Sequence, residues 1–252
     1  MTASDLELAI SHAVHHGELV LHYQPIFRVR TGDLEGFEAL VRWDRPGVGL
    51  LSPAEFIPTA EQSDLICEIG TWVLSDATER AAVWNRTYGS RRLTIAVNVS
   101  GRHINEPRIQ DDVANALRRS GLDPSLLVVE ITETVLVGGA LALENLRQLR
   151  RTGVTLSLDD FGTGHSTVAQ LARLPVDIVK IDRSYLDGRT TTSRERFRSM
   201  VSTVHAFGLP VVAEGVEHMN QLELLRGTGV EHAQGFALGR PMTSAQVDDH
   251  LR

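Results

Sequence analysis

HYQPIFRVRTGDLEGFEALVRW, residues 22–43, contains two strand-like runs with only RVRTGDLE between them. Thr31, Gly32 and Asp33 are turn residues, and the connection is too short for a helical crossover. The pair is therefore a hairpin. Outward from it, LTIAVNV, LLVVEI, VTLSL, VDIVKI, LPVVAE and HAQGFAL are further strand-like runs. Longer segments with apolar residues at helical spacing separate most of them, among them LICEIGTWVLSDATERAAVWN, IQDDVANALRRS and ALENLRQLRR. Gly121, Gly153, Gly208 and Gly229 each follow a helical segment and precede the next strand. Strands alternating with helices give parallel strands joined by crossovers. About eight strands in a chain of this length predict an α/β fold, a (β/α) barrel with one antiparallel strand near its start. The polar segment DGRTTTSRERF (187–197) is predicted to be a loop before a helix.

The 252 residues suit a single domain spanning 1–252, and no repeat, linker or low-complexity tract divides them. A net charge of −7 argues against duplex nucleic acid as a partner, since that needs a basic footprint. Cys67 is the single cysteine and sits in an apolar stretch, so a buried core thiol in a reducing compartment is expected. MTASDLELAI lacks a basic start and an unbroken apolar run, and no apolar stretch reaches the roughly 18 residues of a membrane span. A cytoplasmic location is expected.

The chemistry collects where strands end. Glu38 and Arg42 lie in the second run, Asn98 ends TIAVN, and Glu130 ends LLVVE. Asp159 and Asp160 end TLSLDD, Lys180 ends VDIVK, Glu214 ends PVVAE, and Gln234 lies in HAQG. In a barrel these ends converge on one face, where active sites are built. Two like charges ~5 Å apart repel by about 3 kcal/mol at an effective dielectric near 20. Five carboxylates in one mouth would exceed what Lys180 and Arg42 can neutralise. Either some stay protonated or cations join them. Carboxylates with the Asn98 amide form an all-oxygen set suited to Mg²⁺ or Mn²⁺. Adjacent Asp159 and Asp160 point to two ions, the arrangement used for in-line phosphoryl displacement.

EALVRW, NVS, EITE, DDFGTG, VDIVKID, AEGVE and QGFALGRP stand in the order and approximate spacing of EAL-domain cyclic di-GMP phosphodiesterases. The resemblance runs from about Leu19 to Met242. It implies a modified TIM barrel with one antiparallel strand, and hydrolysis of cyclic di-GMP to linear 5′-pGpG with two Mg²⁺ or Mn²⁺ ions. By motif, Glu38, Asn98, Glu130 and Asp159 resemble ligands of one metal, and Asp159, Asp160 and Glu214 those of the other. The resemblance sets Lys180 beside the attacking water, and Glu133 as the residue that fixes the loop beginning at Asp160. Gln24, Arg42 and Gln234 match substrate-binding positions, and Glu217 matches one that supports Glu214 or faces the guanine. The family commonly has an aromatic residue at the position of His165 and serine at that of Thr167. It also implies a homodimer formed near the loop after Asp160.

Other features carry less. His12, His15 and His16 have metal-compatible helical spacing, but an exposed helix with no carboxylate partner explains them. FGTGHS lacks the third glycine of a dinucleotide fingerprint. Trp43, Trp72 and Trp84 are expected in the core or rim, and Pro46 and Gly47 in a loop over the mouth able to touch substrate. Two rivals to hydrolysis remain: a silent receptor for cyclic di-GMP, and an interaction module that binds no nucleotide. The complete carboxylate set speaks against the first; Arg42, Gln234 and GRP speak against the second.

Overall fold

Residues 3–89, 92–132, 139–162, 171–186 and 190–252 are described by the computed structural model. Strands β1 (Leu19–Arg28) and β2 (Leu34–Arg45) form the expected hairpin, with Leu19 opposite Trp43 and Gln24 opposite Glu38. Gly32 takes φ +78° at the turn, a conformation natural to glycine, and the Arg28 N–H donates to the Asp33 carbonyl at 2.8 Å. A short β3 (Gly49–Leu51) folds back on the far end of β2. Strands β4 (Thr94–Asn98), β5 (Leu127–Thr132), β6 (Thr155–Phe161), β7 (Ile178–Ile181), β8 (Val211–Ala213) and β9 (His232–Ala233) continue parallel from β2. Antiparallel pairs of Phe27 with Ala233 and Arg28 with His232 close the ring. The result is an eight-stranded α/β barrel in which β1 alone runs against both neighbours.

Helices α1 (Ala3–His16), α2 (Ile57–Ala60), α3 (Leu65–Thr87), α4 (Gly101–Ile104), α5 (Ile109–Ser120), α6 (Gly139–Arg151), α7 (Thr191–His205), α8 (Gln221–Thr228) and α9 (Ser244–Leu251) surround it. Gly121 caps α5 and Gly229 caps α8. Trp43, Trp84 and Cys67 are buried in the layer between strands and helices, and Trp72 packs against it. One boundary differs from expectation. Within 187–197 the helix already begins at Thr191, because Thr190 and Ser193 cap each other: the Ser193 N–H donates to Thr190 Oγ1 at 3.0 Å.

A second, smaller cluster sits inside the barrel: Ile26, Ala96, Val128 and Val212, with Ile178 against them. Side chains two apart on a strand share a face. Two residues further along, Ala96 leads to Asn98, Val128 to Glu130, Ile178 to Lys180 and Val212 to Glu214. An apolar plug thus fills the lower barrel, and the next layer up is polar. At Gly36 of β2 the neighbouring strand comes so close that a Cβ would lie 2.2 Å from the Thr94 carbonyl oxygen.

Candidate active site

Lys180 is the centre of the polar layer and is fully buried. Its Nζ lies 2.8 Å from Glu130 Oε2, 2.8 Å from Glu214 Oε1, 3.3 Å from Asp159 Oδ1 and 3.5 Å from Glu38 Oε2. Two amides tie the carboxylates together. Asn98 Nδ2 donates to Glu38 Oε1 at 2.7 Å, and Gln234 Nε2 donates to both Glu38 Oε2 at 2.7 Å and Glu214 Oε1 at 2.9 Å. The fifth acid, Asp160, is exposed, and oxygens of Asp159, Asp160 and Glu214 come within 4.8 Å of one another.

One ammonium cannot satisfy this many acids, and the proton affinities show it. Burial pulls the Lys180 ammonium down, but Glu130, Glu214, Glu38 and Asp159 lift it well above its ordinary value. It stays charged. Burial raises Glu38, yet Lys180 and the amides of Gln234 and Asn98 outweigh it and hold the carboxyl below its usual range. Burial wins at Glu130, which is raised well above the usual range despite Lys180, with Glu38 and Asp159 adding to the shift. Glu214 is pushed up to about 8 by burial, with Asp159 and Glu38 adding and Lys180 opposing. The two ends of the Lys180–Glu130 contact therefore pull in opposite senses. The ammonium is shared four ways, whereas Glu130 faces two other acids. The cluster as it stands is short of positive charge.

The donor set fits divalent cations that prefer oxygen. Glu38, Asn98, Glu130, Asp159, Asp160 and Glu214 offer oxygens as ligand atoms, and Gln234 Oε1 is buried beside them with no hydrogen-bond partner among the described residues. Among the described residues, the group of acidic or histidine side chains close enough to hold a metal is Asp159, Asp160 and Glu214. His12 and His16 instead stack ring on ring at 3.7 Å, and carboxylates do accompany the histidines: Glu18 lies 3.1 Å from His12 and Glu68 3.6 Å from His15. These are separate surface pairs, not a converging set.

The remaining sequence candidates divide. Arg42 stands on the Glu38 face of β2, half-buried, with Nη1 donating to the Val41 carbonyl at 2.8 Å. Gln24 lies beside Glu38 in the hairpin, but its amide donates to the Gly239 carbonyl at 3.2 Å. Gln234, expected on the substrate, is a clamp on two carboxylates. Glu217 is outside the cluster, largely exposed, with Arg183 at 3.6 Å. Pro46 and Gly47 form the β2–β3 turn on the mouth side. Glu133, His165 and Thr167 lie outside the described residues. A cavity of about 310 Å³ that the sequence did not reveal opens beside Asn98 and Glu130, walled by Ile57, Ile66, Ile69 and Val73 with Glu61 at its edge. The SPAEFIPTAE stretch supplies part of that wall, and its apolar spacing was the available signal.

The EAL domain family profile matches residues 7–241. The chain belongs to the EAL domain family. It is 42% identical over 240 residues to the bifunctional diguanylate cyclase/cyclic di-GMP phosphodiesterase MucR of Pseudomonas aeruginosa, covering 93% of this chain and 35% of MucR. It is 36% identical over 246 residues to the cyclic di-GMP phosphodiesterase PdeR of Escherichia coli, covering 96% of this chain and 37% of PdeR. The chain thus spans about a third of the length of these curated relatives. The solved PaMucR phosphodiesterase in complex with c-di-GMP superposes with a TM-score of 0.89 at 39% identity, covering 96% of this chain and 99% of that one. The EAL domain of DcpA from Mycobacterium smegmatis gives 0.78 at 32% identity, covering 94% and 96%.

Proposed function

We propose that this EAL domain hydrolyses one phosphodiester bond of cyclic di-GMP to give linear 5′-pGpG. The observation that carries the reading is the ring of Glu38, Glu130, Asp159 and Glu214 around Lys180, with Asp160 adjoining it, in a family whose named relatives include cyclic di-GMP phosphodiesterases. Glu38, Asn98, Glu130 and Asp159 would hold one Mg²⁺ or Mn²⁺ ion, and Asp159, Asp160 and Glu214 a second. Such ions supply an activated water and neutralise charge on the phosphate oxygens. The residues of the chain do the rest. Lys180 presents a fixed positive charge and N–H donors to the oxygens that gain charge. Gln234 and Asn98 hold Glu38 and Glu214 in place, so that reorganisation during reaction is small. Arg42 has the planar fork that suits a phosphate oxygen. The apolar cavity beside Asn98 accepts a flat base, and Glu61 offers an acceptor to the N–H groups of guanine. A homodimer belongs to the same reading. Light scattering at tens of micromolar tests it, and a fully active monomer would remove it.

The deciding experiment incubates purified protein with cyclic di-GMP and Mg²⁺ or Mn²⁺ and resolves the products by chromatography. Appearance of pGpG that stops on chelation is expected. Tight binding with no product would make the domain a receptor instead.

A further inference from the structure

Asp160 is the one described non-glycine residue with a left-handed backbone, φ +56°. That conformation is unfavourable for a residue with a side chain, though less so for aspartate than for most, and the contacts on either side hold it here. It sits next to the end of β6, where pairing with β7 slips between Leu158 and Phe161. On its N-terminal side the hold is visible: the Asp160 N–H donates to Asp159 Oδ1 at 3.0 Å. On its C-terminal side Phe161 is buried and paired with Ile181, and then comes Gly162. Tyr185 grips Gly162 in two ways. Its hydroxyl donates to the Gly162 carbonyl at 2.7 Å, and its ring lies so close that a Cβ on Gly162 would stand 2.7 Å from Tyr185 Cε2.

Tyr185 is itself firmly placed. It ends a 3-10 turn, Arg183–Tyr185, that follows β7 after one residue, Asp182. The Asp182 side chain accepts from the Ser184 N–H at 2.9 Å, and the Tyr185 N–H donates to the Asp182 carbonyl at 3.1 Å. From α7, the Arg196 guanidinium lies 5.9 Å from the ring centroid. The same strand end thus carries Lys180 into the carboxylate ring and Tyr185 onto the backbone beside Asp160.

We propose that Tyr185 is a positioning residue for Asp160: by holding the Gly162 carbonyl it keeps the left-handed turn aimed at Asp159 and Glu214, and so sets the affinity of the second cation site. The inference rests on the two-ion reading above. It predicts an effect confined to one of two sites.

The test is Mn²⁺ alone, titrated into the parent, Tyr185→Phe and Asp160→Asn, with free Mn²⁺ followed by electron paramagnetic resonance. Tyr185→Phe keeps the ring on Gly162 and removes only the hydroxyl. Asp160→Asn should lose one class of Mn²⁺ sites and so identify the second site. In Tyr185→Phe that same class should lose about two- to ten-fold in affinity, the span of one net hydrogen bond, while the other class is unchanged. In turnover, half-saturating Mn²⁺ for Tyr185→Phe should rise by the same factor and kcat at saturating Mn²⁺ should return to the parent value, a rescue that general loosening of the fold would not give. If Asp160→Asn loses one class but Tyr185→Phe is unaltered, or weakens both classes alike, the role of Tyr185 is wrong and the two-ion reading stands. If Asp160→Asn binds Mn²⁺ as the parent does, the two-ion reading itself fails and takes this inference with it.

Discussion

Replacing Lys180 with methionine removes the one positive charge that the described residues place inside the ring, while keeping much of the side chain's volume. Glu38, Glu130, Asp159 and Glu214 would then face one another with no counter-charge at 2.8–3.5 Å. Removing one partner from a buried ion pair costs about 3–5 kcal/mol, and in a chain of this size each kcal/mol lowers Tm by about 2–4 °C. In chelator at neutral pH the variant should therefore melt roughly 10 °C below the parent. The pH dependence has a definite sign. Lys180 has a folded pKa above its unfolded one, so its contribution is fully present below the unfolded lysine value and does not fade across the neutral range. Glu130 and Glu214 are raised, so they hold protons on the acid side, and Glu214 ionises near pH 8. The deficit of the variant should therefore grow from pH 6 to pH 9. A divalent ion can stand in for the missing charge, so it should bind the variant more tightly than the parent, and each tenfold difference in affinity closes the gap by about 1.4 kcal/mol at saturating ion. Mn²⁺ should thus narrow the gap in Tm without restoring turnover, because the N–H donors stay absent. Scanning calorimetry with and without Mn²⁺, alongside a pGpG assay, measures both. A variant that melts within about 2 °C of the parent in chelator, or that still turns over, would refute the account of the ring.

Glu38→Gln should lower turnover by at least about 100-fold, since even supporting contacts of metal ligands cost 10–100-fold, and should also lower Tm, because its NH2 would face the Asn98 or Gln234 donor where a carboxylate oxygen now accepts; a pGpG assay paired with a melt checks both. Arg42→Ala should raise KM about 10- to 100-fold and leave kcat nearly unchanged, the loss of a charged hydrogen bond to bound phosphate, as steady-state kinetics would show. His103 is buried, and burial lowers its pKa against the pull of Asp112 at 2.9 Å, with Arg108 also lowering it and Glu106 raising it. Its neutral form therefore stabilises the fold above the unfolded histidine pKa, and that contribution is lost as pH falls through it. Urea midpoints of the parent should drop between pH 7.5 and 5.5, and those of His103→Gln should drop less.

How much of this was legible in the sequence follows from which contacts are local. The hairpin was readable because Thr31-Gly32-Asp33 leaves no room for a crossover. The polar layer was readable because most of its members close apolar strand-like runs, as Glu130 ends LLVVE and Lys180 ends VDIVK. Cooperation across strands was not. Nothing near Gln234 in the chain says that it bridges Glu38, 196 residues away, to Glu214. Glu217 shares a motif with Glu214 yet turns outward, because the chain leaves β8 through Gly215 at φ +63°. The start of α7 was missed for a local reason: the Thr190–Ser193 capping box lies in a segment whose polarity alone favours a loop.

The reversed first strand explains why two site residues escape the strand-end rule. In the parallel strands the C-terminal ends face the mouth, and there Asn98, Glu130, Lys180 and Glu214 are found. β1 runs the other way, so its N-terminal half faces the mouth and its last residues, Phe27 and Arg28, close the ring on β9 at the opposite end. Gln24 therefore reaches the polar layer from the middle of its strand, opposite Glu38, which is also mid-strand because β2 continues upward to meet β3. Above the Phe27–Arg28 pairs the β1–β9 seam has no ladder, and the segment after β9 fills it. Tyr23 exchanges backbone hydrogen bonds with Met242, and the Gln24 amide reaches the Gly239 carbonyl. The same segment begins with Gln234, the clamp on Glu38 and Glu214. Reversing one strand thus leaves a gap, and the chain that seals it delivers an amide into the carboxylate ring.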